Sequence, residues 1–207
     1  MSENNTYKFV ILGEGRVGKT SILSQYFNKN FNEGEQSTVN PAFYNKKQIY
    51  EGKEYQLNFW DTAGQEQFNA INTIYYQNSV GALLVYDVTI PETFDKVKNW
   101  VMTLKETVGK DIIFVIAGNK YDKYNKSNKD LIDKNKINVD KYCSQENCAH
   151  FYTSAKTGYN LEDTFKNLII SVLKKVTKNQ SEGNKKGRGR KLEIKEQEAP
   201  KEKKKCC

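Results

Sequence analysis

A glycine-rich turn near the N-terminus, "GEGRVGKT" at 13–20, carries the residues best suited to chemistry. Its spacing, G-x-x-x-x-G-K-[ST], is typical of phosphate-binding loops that join a strand to a helix. Gly13 and Gly18 let the backbone curl so that successive N–H groups face a phosphate, and the following helix adds its dipole. Lys19 can neutralise β- and γ-phosphate charge, and the Thr20 hydroxyl can ligate Mg²⁺. The turn therefore predicts a nucleotide site.

Two further short motifs, "NKYD" at 119–122 and "SAK" at 154–156, bear on the choice of base. Each follows a predicted strand, where loops gather around a ligand in open α/β sheets. The Asp122 carboxylate can accept hydrogen bonds from both the ring N–H and the exocyclic amine of guanine, which adenine cannot supply together. In the second motif a backbone N–H can meet the guanine carbonyl oxygen, and Lys156 can lie along the base. The candidate base-binding residues are Asn119, Lys120, Asp122, Ser154, Ala155 and Lys156.

Strands and helices alternate along the chain and must position these motifs. The apolar, β-prone runs lie at 7–12, 43–50, 54–60, 81–87 and 111–120, and a short strand precedes "TSAK". Nearly continuous apolar runs are typical of strands covered on both faces, and "EGK" between the second and third runs indicates a hairpin turn. Helical spacing of apolar residues predicts helices after the glycine-rich turn, over 91–108 and over 160–176. Together these elements make an α/β domain, with the Lys/Asn-rich segment 120–138 as a loop extension.

Charge and composition divide the chain into a domain, 1–177, and a basic tail, 178–207. The tail holds 11 of the 33 basic residues and 5 of the 25 acidic ones, so it carries +6 of the net charge of +8. It is poor in large apolar side chains and is predicted to be disordered. The pattern of a signal peptide or a membrane-spanning helix is not found, which indicates a reducing cytosol for the four cysteines. Cys143, Cys148 and His150 show no metal-ligand or triad spacing, and we assign them no chemistry.

The order of these motifs makes residues 6–176 resemble the Ras-like small GTPases and, within them, the Rab family. The resemblance rests on "GEGRVGKT", Thr38, "WDTAGQE" at 60–66, "NKYD" and "SAK". Rab character comes from "FWDTAGQEQF", "YYQNS", "LVYDVT" and the terminal Cys-Cys, and "YYQNSVGALLVYDVT" and "FDKVKNWV" are most similar to endosomal Rabs. The resemblance implies a P-loop NTPase-type three-layer α/β fold, with a mostly parallel six-stranded sheet and helices on both faces.

The resemblance also implies a GTPase that binds GTP or GDP with Mg²⁺ and hydrolyses GTP slowly without an activating protein. Thr38 and Asp61 would hold Mg²⁺ together with Thr20, and the Gly64 N–H would bond the γ-phosphate. Gln65 would act in catalysis by orienting the attacking water. The other GTP-binding positions implied are Gly13, Glu14, Gly15, Arg16, Val17, Gly18, Lys19, Ser21 and Phe31. Gly15 leaves room for a partner's side chain, and Phe31 is placed like the aromatic residue that covers the base.

Three aromatic residues, Phe43, Trp60 and Tyr75, match the triad that Rabs present to effectors between the two switch segments. One departure from the family pattern lies beside them, in "TVNPAF", where Pro41 removes an N–H and restricts Asn40. Effector choice at this edge is therefore expected to differ. A second departure is Tyr121 of "NKYD", where Leu or Ile is usual, and it is expected to leave the base contacts untouched.

The terminal "KKKCC" resembles the ends of Rabs that carry geranylgeranyl groups on both cysteines, here Cys206 and Cys207. Two lipids give firm anchoring where one chain binds reversibly, and the three lysines add attraction to anionic lipid. The partners implied are the prenylation machinery, an exchange factor, a GTPase-activating protein, a GDP-dissociation inhibitor and effectors. The implied location is the cytoplasmic face of intracellular membranes, endosomal by the same resemblance, with a cytosolic pool.

Three alternatives stay open at this level. A GTP-binding membrane scaffold with little turnover is disfavoured because Gly15 and Gln65 are both present. A Rab of the secretory pathway would share every nucleotide motif. Nucleic-acid binding is suggested by "KKGRGRK" at 185–191, but the domain without its tail has nearly balanced charge, where a basic face would be expected.

Overall fold

One sheet of six strands forms the centre of the computed structural model, which describes residues 5–33, 42–62, 76–125 and 129–187. The strands are β1 (Thr6–Leu12), β2 (Ala42–Tyr50), β3 (Lys53–Asp61), β4 (Ser79–Asp87), β5 (Ile113–Asn119) and β6 (Ala149–Tyr152). Their spatial order is β2-β3-β1-β4-β5-β6. Within it β2 pairs antiparallel with β3, and every other pair is parallel. The predicted mostly parallel six-stranded sheet is confirmed.

A tight hairpin joins β2 to β3, as the sequence "EGK" predicted. Tyr50 and Lys53 are opposite each other, and the two residues between them, Glu51 and Gly52, have φ of 49° and 75°. Two successive left-handed residues suit the right-handed twist of the strands that they join. The hairpin places Phe43 of β2 directly opposite Trp60 of β3.

Helices cover both faces of the sheet, which confirms the predicted layers. In the described residues they are α1 (Lys19–Asn28), α2 (Glu92–Val108), α3 (Lys129–Glu146) and α4 (Leu161–Gly187), with a 3₁₀ turn at Tyr121–Lys123. On one face of the sheet, α2 and α3 pack against β1, β4 and β5 through a large apolar cluster. On the other face Phe165 of α4 stacks on Tyr26 of α1 with ring centroids 3.9 Å apart, and its ring lies 5.6 Å from Phe59 of β3. Among the residues that the structure describes, none of the helices combines the length and the apolar content needed to cross a bilayer.

Helix α3 corrects the prediction of a loop extension over 120–138. The helix begins at Lys129 and buries Ile132, Val139 and Cys143 at helical spacing. These few apolar residues are separated by many Lys, Asn and Asp residues, so the helical period is weak in the sequence. The period becomes clear only from which side chains the structure buries. Packing against the sheet therefore fixes a helix that composition alone does not indicate.

The last helix also extends further than the sequence suggests. The chain divides into two compact units, residues 1–173 and 174–207, with the boundary inside α4. In the second unit the helix continues to Gly187, past the predicted start of the disordered tail at residue 178. Lys, Gln and Glu have good helix propensity, which is compatible with this extension. Residues 188–207, with Cys206 and Cys207, lie outside the described residues.

His150 of β6 is a partly buried histidine that the sequence left without a partner. Its Nε2 lies 3.1 Å from the Tyr86 hydroxyl, and its ring packs edge-on against Tyr152 with centroids 4.7 Å apart. Burial lowers the pKa of His150 to about 4, and the Asp140 carboxylate only partly opposes this effect. The neutral imidazole is therefore the form that the fold stabilises.

We expect this histidine to weaken the fold at acid pH. The unfolded chain takes up a proton near pH 6.5 and the folded chain only near pH 4, so its contribution is complete above pH 6.5 and is lost as pH falls. Between pH 7.5 and pH 4.5 the wild type should lose about 2 kcal/mol more unfolding free energy than His150→Gln, by urea denaturation. Equal losses in the two proteins would contradict the assignment.

Candidate functional site

The glycine-rich turn leaves β1 at Leu12 and enters α1 at Lys19, at the carboxyl edge of the parallel strands. Gly13 and Gly18 have φ of 146° and 95°, in the region that favours glycine. A Cβ at Gly13 would lie 2.3 Å from the Val85 carbonyl oxygen, so the turn runs directly against β4. The predicted strand, turn and helix are all present.

Lys19 is a buried cation inside this turn, 5% exposed. Its Nζ donates to the carbonyl oxygens of Gly13 and Glu14, each at 2.9 Å. Burial lowers its pKa to about 8, although the carboxylates of Asp61 and Glu14 oppose the change. An ammonium group held in this way has a strong electrostatic preference for an anionic ligand, because a phosphate would repay its desolvation.

Thr20 and Asp61 meet beside the turn and form a pair of oxygen donors. The Thr20 hydroxyl donates to Asp61 Oδ2 at 2.6 Å, and Asp61 ends β3 in a fully buried position. The neighbouring Thr62 hydroxyl donates to the Ile11 carbonyl at 2.7 Å, which holds the end of β3 against β1. A hydroxyl and a carboxylate are ligands that Mg²⁺ prefers, usually together with phosphate oxygens, so these residues fit the predicted ion.

Asn119 joins the three motifs. Its Nδ2 donates to the Val17 carbonyl of the glycine-rich turn at 2.9 Å, and its Oδ1 accepts the Ala155 N–H of "SAK" at 3.1 Å. The residue ends β5 and is 1% exposed. A Cβ at Gly18 would lie 2.4 Å from the same Nδ2, so the turn and this amide fit closely. The phosphate and base motifs therefore form one connected site.

The other base-binding candidates surround Asn119. Ser154 Oγ donates to Asp122 Oδ1 at 2.5 Å, which links "SAK" to "NKYD" directly. Lys120 has a left-handed φ of 65° and its Nζ pairs with Asp87 Oδ2 at 2.7 Å. Asp87 ends β4 and is 2% exposed, so this ion pair fixes the start of the loop.

Lys156 pairs with Glu33 at 2.8 Å, and the contact raises the pKa of Lys156 and lowers that of Glu33. Both side chains are exposed, so the pair adds little stability. Its structural consequence is that the segment carrying Phe31 lies alongside "SAK", at the base end of the site. This placement is compatible with the predicted role of Phe31.

The other predicted positions fall into three groups: residues at the glycine-rich turn, an aromatic pair, and positions outside the described residues. Glu14, Gly15, Arg16 and Ser21 lie in or next to the turn. Phe43 and Trp60 form an aromatic pair with centroids 5.4 Å apart and planes at 70°, and Phe43 is about half exposed. The remaining positions, Thr38, Asn40, Pro41, Gly64, Gln65, Tyr75, Cys206 and Cys207, lie outside the described residues.

Asp87 is a further residue of the site and was not among the predicted positions. Its Oδ1 accepts the Thr89 N–H at 2.9 Å and the Thr89 hydroxyl at 2.7 Å, while Oδ2 holds Lys120. The signal was present in "LVYDVT", because an acidic residue at the end of a buried parallel strand lies at the ligand edge of the sheet.

Comparison with known proteins agrees with this geometry. Residues 8–174 match the family model described as Ras family. "Ras-related protein Rab-21" of Mus musculus is 40% identical over 163 residues, 79% of this chain and 71% of that protein. "Ras-related protein Rab-21" of Dictyostelium discoideum is 40% identical over 167 residues, and "GTP-binding protein YPT53" of Saccharomyces cerevisiae over 164; each match covers 79% of this chain and 74% of the relative.

The match covers every described motif, from the glycine-rich turn to "SAK". Ras-family proteins generally bind GTP or GDP with Mg²⁺, and the Lys19, Thr20 and Asp61 arrangement fits that chemistry. Fold, connected motifs and sequence similarity agree. The chain therefore belongs to the Ras family of small GTPases, as a Rab protein that hydrolyses GTP to GDP.

Proposed function

We propose that the connected site binds a guanine nucleotide, with phosphates at the glycine-rich turn and the base at "NKYD" and "SAK". The observation that supports this assignment is the pair of hydrogen bonds made by the Asn119 side-chain amide, one to the glycine-rich turn and one to the Ala155 N–H. Lys19 contacts the β- and γ-phosphates, and Thr20 and Asp61 hold Mg²⁺, directly or through water. Asp122 accepts the two guanine donors beside Ser154.

We further propose that the γ-phosphate controls two switch segments. Thr38 with the ion, and Gly64 with the phosphate, order these segments in the GTP state, and hydrolysis oriented by Gln65 releases them. Phe43 and Trp60 form the part of the effector surface that lies in β2 and β3, and Tyr75 completes it. An exchange factor and a GTPase-activating protein set the two rates of this cycle.

We also propose that the protein acts in endocytic membrane traffic. The domain, residues 1–177, is attached through the basic tail, 178–207, to the cytoplasmic face of endosomal membranes. The prenylation machinery modifies Cys206 and Cys207, and a GDP-dissociation inhibitor keeps a cytosolic pool by shielding the lipids. Support comes from the resemblance of "YYQNSVGALLVYDVT" and "FDKVKNWV" to endosomal Rabs, and the Rab-21 relatives fit it.

Imaging tests the compartment. The full chain with an N-terminal fluorescent tag and Gln65→Leu, which traps the GTP state, should co-localise with early vesicles filled by an internalised fluid tracer. Signal on Golgi or secretory membranes would overturn the endocytic role and leave the GTPase intact. The matched control changes Cys206 and Cys207 to serine and should be diffuse; membrane signal in that control would overturn the lipid anchor.

A further inference from the structure

Four tyrosines form a stack beside the base-binding loops, and we call Tyr121, Tyr124, Tyr152 and Tyr159 the tyrosine stack. Tyr121 is its centre, because its ring contacts each of the other three. The centroid distances are 4.7 Å to Tyr152, 5.2 Å to Tyr124 and 5.8 Å to Tyr159. The planes differ by 19° to 22°, so all three contacts are stacked.

The stack connects the two loops that carry the base-binding candidates. Tyr121 stands between Lys120 and Asp122 in "NKYD". Tyr152 ends β6, two residues before Ser154, and the Tyr159 carbonyl accepts the Ser154 N–H at 3.2 Å. Rings from both sides of "SAK" therefore pack on the residue next to Asp122.

Backbone contacts follow the same connection. The Tyr121 N–H donates to the Thr153 carbonyl at 3.0 Å, and the Ser154 hydroxyl reaches Asp122 at 2.5 Å. Lys120, directly before Tyr121, has a φ of 65°, which residues other than glycine rarely adopt. The loop therefore has a conformation that its own backbone does not favour, and contacts on either side of Asp122 oppose its relaxation.

The stack is also attached to the core. Tyr152 packs edge-on against His150, whose ring lies 5.9 Å from the buried ring of Tyr86. Tyr159, by contrast, is half exposed. Tyr121 thus contacts both the anchored ring of Tyr152 and the exposed ring of Tyr159. Any movement of the "NKYD" loop must break these stacked contacts.

We propose that Tyr121 is a positioning residue that fixes the Asp122 carboxylate for guanine and thereby slows nucleotide release and sharpens base selection. The proposal rests on the base-binding role of Asp122 proposed above. It changes the expectation from the sequence that Tyr121 leaves the base contacts untouched. An aromatic ring at position 121 restrains the loop in a way that a Leu or Ile side chain cannot. Ring stacking fixes the orientation of the side chain, whereas an aliphatic side chain only fills the same volume.

The test replaces Tyr121 by Leu in the full chain and measures dissociation of GDP and of IDP, whose base lacks the exocyclic amine that Asp122 recognises. We expect GDP release to become about 10-fold faster, because three stacked contacts are lost. IDP release should change less, so the preference for GDP over IDP should shrink. Tyr121→Phe keeps the ring and should restore both values.

Two control variants separate the possible causes. Tyr142→Leu removes another aromatic contact, 5.9 Å from Phe94 in the α2 and α3 layer, and should lower the melting temperature without changing the GDP to IDP preference. Asp122→Asn should abolish that preference. If Asp122→Asn acts and Tyr121→Leu leaves release and preference unchanged, the positioning role is wrong. If Asp122→Asn also has no effect, the base-binding assignment itself is wrong.

Discussion

Replacing Lys19 by alanine is expected to lower the affinity for GDP and GTP by a factor on the order of 1000, since the bound phosphates would lose their buried cation. The folded protein without nucleotide should lose little stability, because the unfavourable burial of the ammonium, which its lowered pKa indicates, offsets the loss of its contacts with Gly13, Glu14 and Asp61. Loss of binding with little loss of stability is the expected signature. Titration with fluorescent GDP and urea denaturation of the nucleotide-free protein measure the two quantities.

The matched control is Lys110→Ala, which removes an exposed lysine just after α2 and should leave GDP affinity unchanged. A Lys19→Ala protein that still binds GDP at the wild-type affinity would exclude this turn as the phosphate site. A protein that loses both binding and stability would instead indicate that Lys19 mainly supports the fold through Gly13 and Glu14.

Replacing Gly13 by alanine should produce a large loss of stability in the domain. The new Cβ would lie 2.3 Å from the Val85 carbonyl oxygen, and φ at this residue is 146°. Either β1 and β4 must separate or the turn must change its path, and both disturb the central strands. We expect a loss of about 3 kcal/mol or more in unfolding free energy, measured by urea denaturation.

Gly109→Ala is the control for backbone strain alone. Gly109 follows α2 with a φ of 115°, and nothing lies within 4 Å of a Cβ built there. It should cost about 1 kcal/mol, so the difference between the two variants measures the contact with Val85. Equal losses would show that the turn does not press against β4.

Much of the fold was readable from the sequence because the central strands are covered on both faces. Residues 81–87 and 113–119 are nearly continuous apolar runs, and short runs of this kind are typical of parallel strands that are buried on both faces. Helix α3 was not readable, because it packs with few apolar residues among many charges. A helical period can be recognised in a sequence only where enough apolar residues recur at helical spacing.

The candidate site was readable in its motifs and not in its connections. Residue type and spacing placed Lys19, Thr20 and Asn119 at the same edge of the sheet, and the structure brings them there. The sequence did not indicate that Asn119 bonds both the turn and "SAK", nor that Asp87 holds Lys120. Contacts of that kind join residues far apart in the chain, and they depend on strand order and register rather than on local pattern.

Hydrolysis of bound GTP tests the central claim most directly. The purified chain, loaded with GTP and given Mg²⁺, should release phosphate in a single turnover at a slow rate, on the order of 10⁻⁴ to 10⁻³ s⁻¹, and excess ATP should not displace the nucleotide. Gln65→Leu should keep GTP bound and slow the release at least about 10-fold, as expected if Gln65 orients the water. Failure of the wild type to retain GTP, or displacement of GTP by ATP, would contradict the account.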